Sequence, residues 1–277
     1  MIFSSLTRGV AIATAGVLAL SLTACAGGNA DSAPAADGSE GLGTLKVGAL
    51  PVPAGDMLTW ISDNLAEEAG LTIEWQQFTD YNTPNPALSD GSVDANLFQN
   101  ATFLETYNTQ SGDDLISVGE IYLPAAAFYS EKVDTIDDLK DGATVAIPND
   151  PTNEGRALEM LAAEGVIEIA DGATTLADIT DNPKNLKFIE IENASLALAL
   201  PDNDASFVTA SFAIPAGLSD DQAILFEGSE SKYYNVLATR AELKDDPRIK
   251  ALQNMLNDER TKEFITQTWK GLIVPVD

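Results

Sequence analysis

The chain has 277 residues, 43 acidic against 15 basic, and a net charge of −28. Such a surface repels nucleic acid and anionic lipid head groups, and neither is expected as a partner. There is no histidine and one cysteine. Ser-His-Asp and Cys-His catalysis, histidine metal sites and an internal disulfide are all excluded, and no cofactor is implied.

The N-terminus reads as a targeting segment. Arg8 precedes an apolar stretch over residues 10–22, and "LTAC" follows at 22–25. One positive charge, a short apolar core and small residues before a cut site describe a signal peptide over residues 1–24. The core is too short for a comfortable membrane span. "LTAC" resembles a bacterial lipobox, which makes Cys25 the lipidated first residue of the mature chain. Its alternative is an incidental thiol. The stretch "AGGNADSAPAADGSEGLG" (26–43) has Leu42 as its single large apolar residue, so 25–43 reads as a lipidated cysteine and a disordered tether. A coil of that length spans about 25 Å. The chain is expected at the cell membrane, held by lipid alone on its extracytoplasmic face.

Beyond the tether, short apolar runs alternate with helical spacing. "LKVGAL" (45–50) reads as a strand, and Met57, Leu58, Ile61 and Leu65 share a helix face that stops at Gly70. "LTIEWQQF" (71–78) is a second strand, and residues 86–98 give a short helix, a turn and a third. Residues 102–107 are helical, "LISVGEI" (115–121) is a fourth strand and "AAAFYS" (125–130) a fifth. The pattern restarts with the strand "ATVAIP" (143–148) and a helix beginning at Pro151. The strands "LKFIEIE" (186–192), "DASFVTA" (204–210) and "YYNVLATR" (233–240) follow, with a short helix at 195–200 and two more over 247–256 and 259–269. Strands alternating with helices argue for an α/β fold with mostly parallel sheet, and the length suits two lobes with a cleft between them.

One helix start carries a puzzle. In "NDPTNEGRAL" (149–158), Asp150 is a good N-cap and Pro151 fits the first helical position. Arg156 then lies near the positive end of the helix dipole, where a cation is misplaced by about 0.3–1 kcal/mol. Either Glu154 or a neighbouring acid screens it, or the site takes an anion held by free backbone N–H groups and the guanidinium together.

Longer motifs bear on that choice. "FTDYNTPNPALSDGSVDANLFQNATFLETYN" (78–108), "DGATVAIPNDPTNEGRAL" (141–158), "NPKNLKFIEIE" (182–192) and "DDPRIKAL" (245–252) resemble, in matching order, the NlpA-type lipoproteins, the methionine-binding components of ABC importers. The resemblance implies a two-lobed periplasmic-binding-protein fold of the second type with the ligand in the cleft. It implies a first lobe of residues 44–130 plus 234–277, a second lobe of 131–233, and crossings near Ser130 and Tyr233. It also implies a permease and its ATPase as partners, and binding rather than catalysis.

Site residues carry over by motif. The arginine of "NEGR", Arg156, holds the ligand's α-carboxylate in that family. Asn153 would help shape the site, or is a satisfied turn asparagine. Tyr81 of "FTDY" and Phe98 of "NLFQN" match the side-chain pocket, and Asn235 of "YYNV" matches a polar position near the ligand. Three positions depart: Asn100 stands for a family histidine, Phe103 for a tyrosine, and Ser211 of "TASFA" for an asparagine that holds one end of the ligand. Methionine or a related apolar amino acid is the leading ligand. A short methionine-containing dipeptide and an adhesion or interaction lipoprotein without a ligand stay open.

Overall fold

The computed structural model describes residues 41–228 and 230–277. The signal peptide, Cys25 and most of the tether lie outside them. The chain runs β1 (Gly43–Ala49), α1 (Asp56–Asn64), β2 (Leu71–Gln77), α2 (Pro84–Ser89), β3 (Ala95–Asn100), α3 (Ala101–Ser111), β4 (Ile116–Pro124) and β5 (Ala126–Tyr129). It continues through β6 (Thr144–Pro148), α4 (Pro151–Ala163), β7 (Glu168–Ile169), β8 (Ile179–Asp181), β9 (Lys187–Ile191), α5 (Asn193–Ala199), β10 (Ala205–Thr209), α6 (Ala210–Ala216) and β11 (Ala223–Phe226). It closes with β12 (Asn235–Thr239), α7 (Pro247–Leu256), α8 (Glu259–Trp269) and β13 (Ile273–Pro275).

These strands form two main sheets, and the fold is two-lobed α/β. The first has the order β13-β4-β12-β3-β1-β2 and the second β11-β5-β10-β6-β9, while β7 and β8 make a separate ribbon. The sheets are mixed rather than mostly parallel. β1 pairs in parallel with β2 and β3, but β12 is antiparallel to both β3 and β4. In the second sheet β6 is parallel to β10 and β9, and β5 is antiparallel to β10 and β11. The antiparallel strands flank the places where the chain passes between sheets, and a chain that leaves and returns reverses its direction there.

The strand pairing also moves one expected boundary. β5 belongs to the second sheet, so the first crossing falls at Ala125 rather than near Ser130. The return comes after β11 ends at Phe226 and before β12 begins at Asn235. β1 starts at Gly43, within the span assigned to the tether, because Leu42 already packs against the first core.

Each lobe has its own core. Met57, Leu58 and Ile61 of α1 meet Ile249, Leu252 and Leu256 of α7 and Ile265 of α8 over the first sheet. In the second, Phe128 and Phe207 pack edge to face at 5.5 Å beneath Leu158 and Leu161 of α4. Burying such side chains contributes about 1.5–3 kcal/mol each before chain entropy is set against it. Among the described residues, no helix is long and apolar enough to cross a membrane.

Candidate functional site

The site lies where strand ends of both sheets meet. β3 ends in Phe98, Gln99 and Asn100, β12 begins at Asn235, and β10 ends at Thr209. α4 enters from β6 with Asp150 as its N-cap and Pro151 in its first turn; the Asp150 side chain accepts from the Asn153 N–H at 2.9 Å. Gly155 allows this helix to seat closely, since a Cβ there would lie 2.7 Å from the Ala173 carbonyl oxygen. Gly165, at φ +70°, follows its end.

Tyr81, Phe98, Asn100, Phe103, Asn153, Arg156 and Asn235 surround one small cavity together with Gln99 and Pro124. Its apolar wall is an aromatic cluster. Tyr81 lies 5.8 Å from Phe98, 6.0 Å from Phe103 and 5.0 Å from Phe212, ring centre to ring centre. The Tyr81 hydroxyl shares a 3.1 Å hydrogen bond with Thr209 Oγ1, joining a loop after β2 to the end of β10. Burial pushes the Tyr81 phenol above its ordinary pKa, against the lowering effect of the Thr209 and Ser211 hydroxyls. Ser211 is therefore close to the Tyr81 hydroxyl and is not among the residues that line the cavity.

The expected polar residues turn out to be engaged. Asn100 is the N-cap of α3, its side chain accepting from the Phe103 N–H at 2.9 Å. Asn153 donates to both Asp150 carboxylate oxygens at 3.1 Å, which is the satisfied-asparagine alternative. Asn193 donates to Asp150 as well, at 2.6 Å. The anion at the α4 N-terminus is thus the chain's own Asp150. Asn235 donates to the Tyr122 hydroxyl at 3.2 Å.

Arg156 is 2% exposed and already has an acid. That acid is neither Glu154 nor any other neighbour in sequence. Arg156 Nε donates to Glu227 Oε1 at 2.8 Å, and Nη2 donates to Glu227 Oε2 and, at 2.9 Å, to the Pro124 carbonyl. Glu154 instead accepts from the Leu176 N–H at 2.6 Å, and burial raises its pKa. The Tyr233 ring lies 4.8 Å from the guanidinium carbon. Glu227, Thr209, Phe212, Gln99 and Pro124 complete the site and were not among the expected residues. The one cue in the sequence is that Glu227 directly follows the apolar run "AILF" (223–226), where a carboxylate at a strand end needs a partner.

Beneath the cavity, Asn85, Asn96 and Gln99 form a closed buried amide network. Asn85 and Gln99 exchange bonds of 2.7 and 2.6 Å, and Asn96 donates to Asn85 at 2.9 Å. It fixes Gln99, and with it the end of β3, against α2. Among the described residues, no group of three or more acidic or cysteine side chains is arranged to hold a metal.

A second recess of about 130 Å³ adjoins the cavity through Tyr81 and Phe103, lined by Thr106, Gln110, Asp150 and Thr152.

Comparison with known proteins agrees with this architecture. The NlpA lipoprotein family model matches residues 45–277. The chain is 37% identical to outer membrane lipoprotein 2 of Mannheimia haemolytica over 259 residues, covering 92% of each chain. It is 36% identical to the D-methionine-binding lipoprotein MetQ of Salmonella typhi over 234 residues, 82% of this chain and 86% of that one. A solved nutrient binding protein from Burkholderia cenocepacia, bound to methionine, superposes with a TM-score of 0.81 at 36% identity, over 84% of this chain and all of that one. A chain whose described fold is matched almost from β1 to its last residue by one family model belongs to the NlpA lipoprotein family.

Proposed function

We propose that the protein is a lipid-anchored, extracytoplasmic substrate-binding component of an ABC importer, and that its cleft takes methionine or a related apolar amino acid. The observation that carries this reading is the pairing of a buried guanidinium with an aromatic wall around one cavity between the sheets. Arg156 supplies the cation for a carboxylate, and Tyr81, Phe98 and Phe103 supply the surface for an apolar side chain. A thioether gains about 0.3–1.5 kcal/mol for each aromatic contact. The relatives named for methionine support the same ligand class. In this reading the membrane contact is the lipid on Cys25, the partners are a permease and its ATPase, and the protein delivers its ligand without transforming it. As it stands, the cavity has about 10 Å³ of space that water can enter, room for about one molecule. An amino acid therefore enters by separation of the two lobes and is retained by their closure.

Thermal unfolding against L-methionine, D-methionine and other amino acids tests this. A ligand at 100 times its dissociation constant adds about 2.7 kcal/mol of stability, a shift of several degrees. A shift confined to charged or small amino acids would sink the apolar assignment.

The second recess, next to Tyr81 and Phe103, favours a methionine-containing dipeptide as the alternative reading. Its extra residue would lie towards Thr106 and Asp150, and dipeptides in the same panel would then give the larger shift.

A further inference from the structure

A guanidinium has five N–H donors. In Arg156 three are used inward: Nε on Glu227 Oε1, and the two of Nη2 on Glu227 Oε2 and the Pro124 carbonyl. Nη1 has no partner among the described residues, and Arg156 lines both the cavity and a wider recess that it shares with Glu159, Glu227, Ser231 and Tyr233. Glu227 is itself held from two more directions. The Ala126 N–H donates to Oε2 at 3.0 Å, and the Ser231 hydroxyl donates to Oε1 at 2.8 Å. The Ser231 hydroxyl in turn accepts from the Tyr233 N–H at 3.1 Å.

We propose that Glu227 is the positioning residue for the ligand-binding arginine: it occupies the Nε and Nη2 edge of Arg156, leaves only Nη1 for the ligand's carboxylate, and fastens that guanidinium to both segments where the chain crosses between lobes. This rests on the reading that Arg156 holds a carboxylate.

Pro124 and Ala126 flank the outgoing crossing, and Glu227 and Ser231 belong to the return. One side chain of α4 is therefore bonded to both. A ligand that pulls on Nη1 pulls on a group whose other edge is anchored at the hinge, so binding and lobe movement share one hydrogen-bonded unit. The geometry also defines how a carboxylate is met. The two-point fork of Nε and Nη2 is taken, both N–H groups of Nη2 are used, and the ligand is held through Nη1 alone. Because Arg156 and Glu227 neutralise each other, the site favours a zwitterion over a ligand with surplus negative charge.

The test combines binding with a spectroscopic readout in the full chain labelled with 15N. The Arg156 Nε–H resonance, identified by its loss in Arg156→Lys, is expected to exchange slowly with solvent. In Glu227→Gln its exchange accelerates at least ten-fold, and the dissociation constant for L-methionine rises at least ten-fold. Should Glu227→Gln fail to fold, Ser231→Ala removes one support of the same carboxylate, and a several-fold change in both readouts is expected. Weakened binding with Nε–H exchange unchanged would show that Glu227 acts elsewhere and would overturn the proposal, as would accelerated exchange with unchanged affinity. A wild-type protein indifferent to methionine but with a slow, Glu227-dependent Nε–H counts against the ligand reading and leaves the positioning role standing.

Discussion

Arg156 and Glu227 stand 71 residues apart in sequence and form a buried, two-bond ion pair, with side chains 2% and 6% exposed. A buried pair is a poor source of net stability, but breaking it by removing one partner leaves an uncompensated charge. Arg156→Ala is therefore expected to abolish binding and also to destabilise the apo protein by about 3–5 kcal/mol. The double variant Arg156→Met with Glu227→Gln removes both charges and should recover most of that loss while still failing to bind. Urea unfolding of the two variants checks this. An Arg156→Ala protein as stable as wild type would mean that water reaches Glu227 freely.

Tyr81 joins the lobes through its hydroxyl on Thr209 and walls the cavity with its ring. Tyr81→Phe keeps the ring and loses the bond. A neutral hydrogen bond is worth about 0.5–1.5 kcal/mol net, so ligand affinity should fall by up to about ten-fold with little change in apo stability. Calorimetric titration measures the first quantity and unfolding the second. A larger loss in apo stability than in affinity would place the bond's role in packing rather than closure.

Asn100 is both a wall of the cavity and the N-cap of α3. Losing such a cap costs about 0.5–2 kcal/mol. Asn100→Ala should lower unfolding free energy by that amount whether or not ligand is present, whereas Asn100→Asp, which keeps the acceptor, should restore it. If Asn100→Ala changes affinity alone, the capping bond contributes nothing.

Most of the fold was legible because it rests on local signals. α7 and α8 follow from apolar spacing bounded by Asp246 and Asp258, each of which caps its helix. α4 could be placed at Pro151 by the Asp-Pro pair alone. The mixed pairing of the sheets was not legible, because strand direction depends on where the chain crosses, and β5 reads like any other apolar run. Short elements such as α6, β11 and β13 were missed for want of a full period. The site divides in the same way. Arg156, Tyr81, Phe98 and Phe103 do converge on one cavity, as their motifs implied. Glu227 was invisible, since no local rule connects a carboxylate after β11 with an arginine on α4. Asn100 and Asn153 also line the cavity, but their bonds to the Phe103 N–H and to Asp150 were not legible, because a side chain's hydrogen-bond partner cannot be read from its position in a motif.

Glu154 gives α4 a pH signature of its own, in the direction that burial also gives Asp56 and Glu192. Its carboxylate is buried, accepts from the Leu176 N–H and faces Glu190, Asp150 and Asp178; burial first, and those charges after it, raise its pKa above 4.5. A carboxyl whose pKa is higher in the folded state binds more protons there than in the unfolded chain. Its contribution is thus most favourable below the unfolded pKa and is lost as pH rises through the folded one. Glu154→Gln keeps an oxygen for the Leu176 N–H and removes the charge. The variant should lose that part of the decline in stability as pH increases from about 4.5, and should gain on wild type at neutral pH. Urea unfolding of both proteins between acid and neutral pH measures the difference. Parallel stability curves would mean that Glu154 is as well solvated in the folded chain as in the unfolded one, and that the Leu176 bond alone holds α4 to the loop beside Gly155.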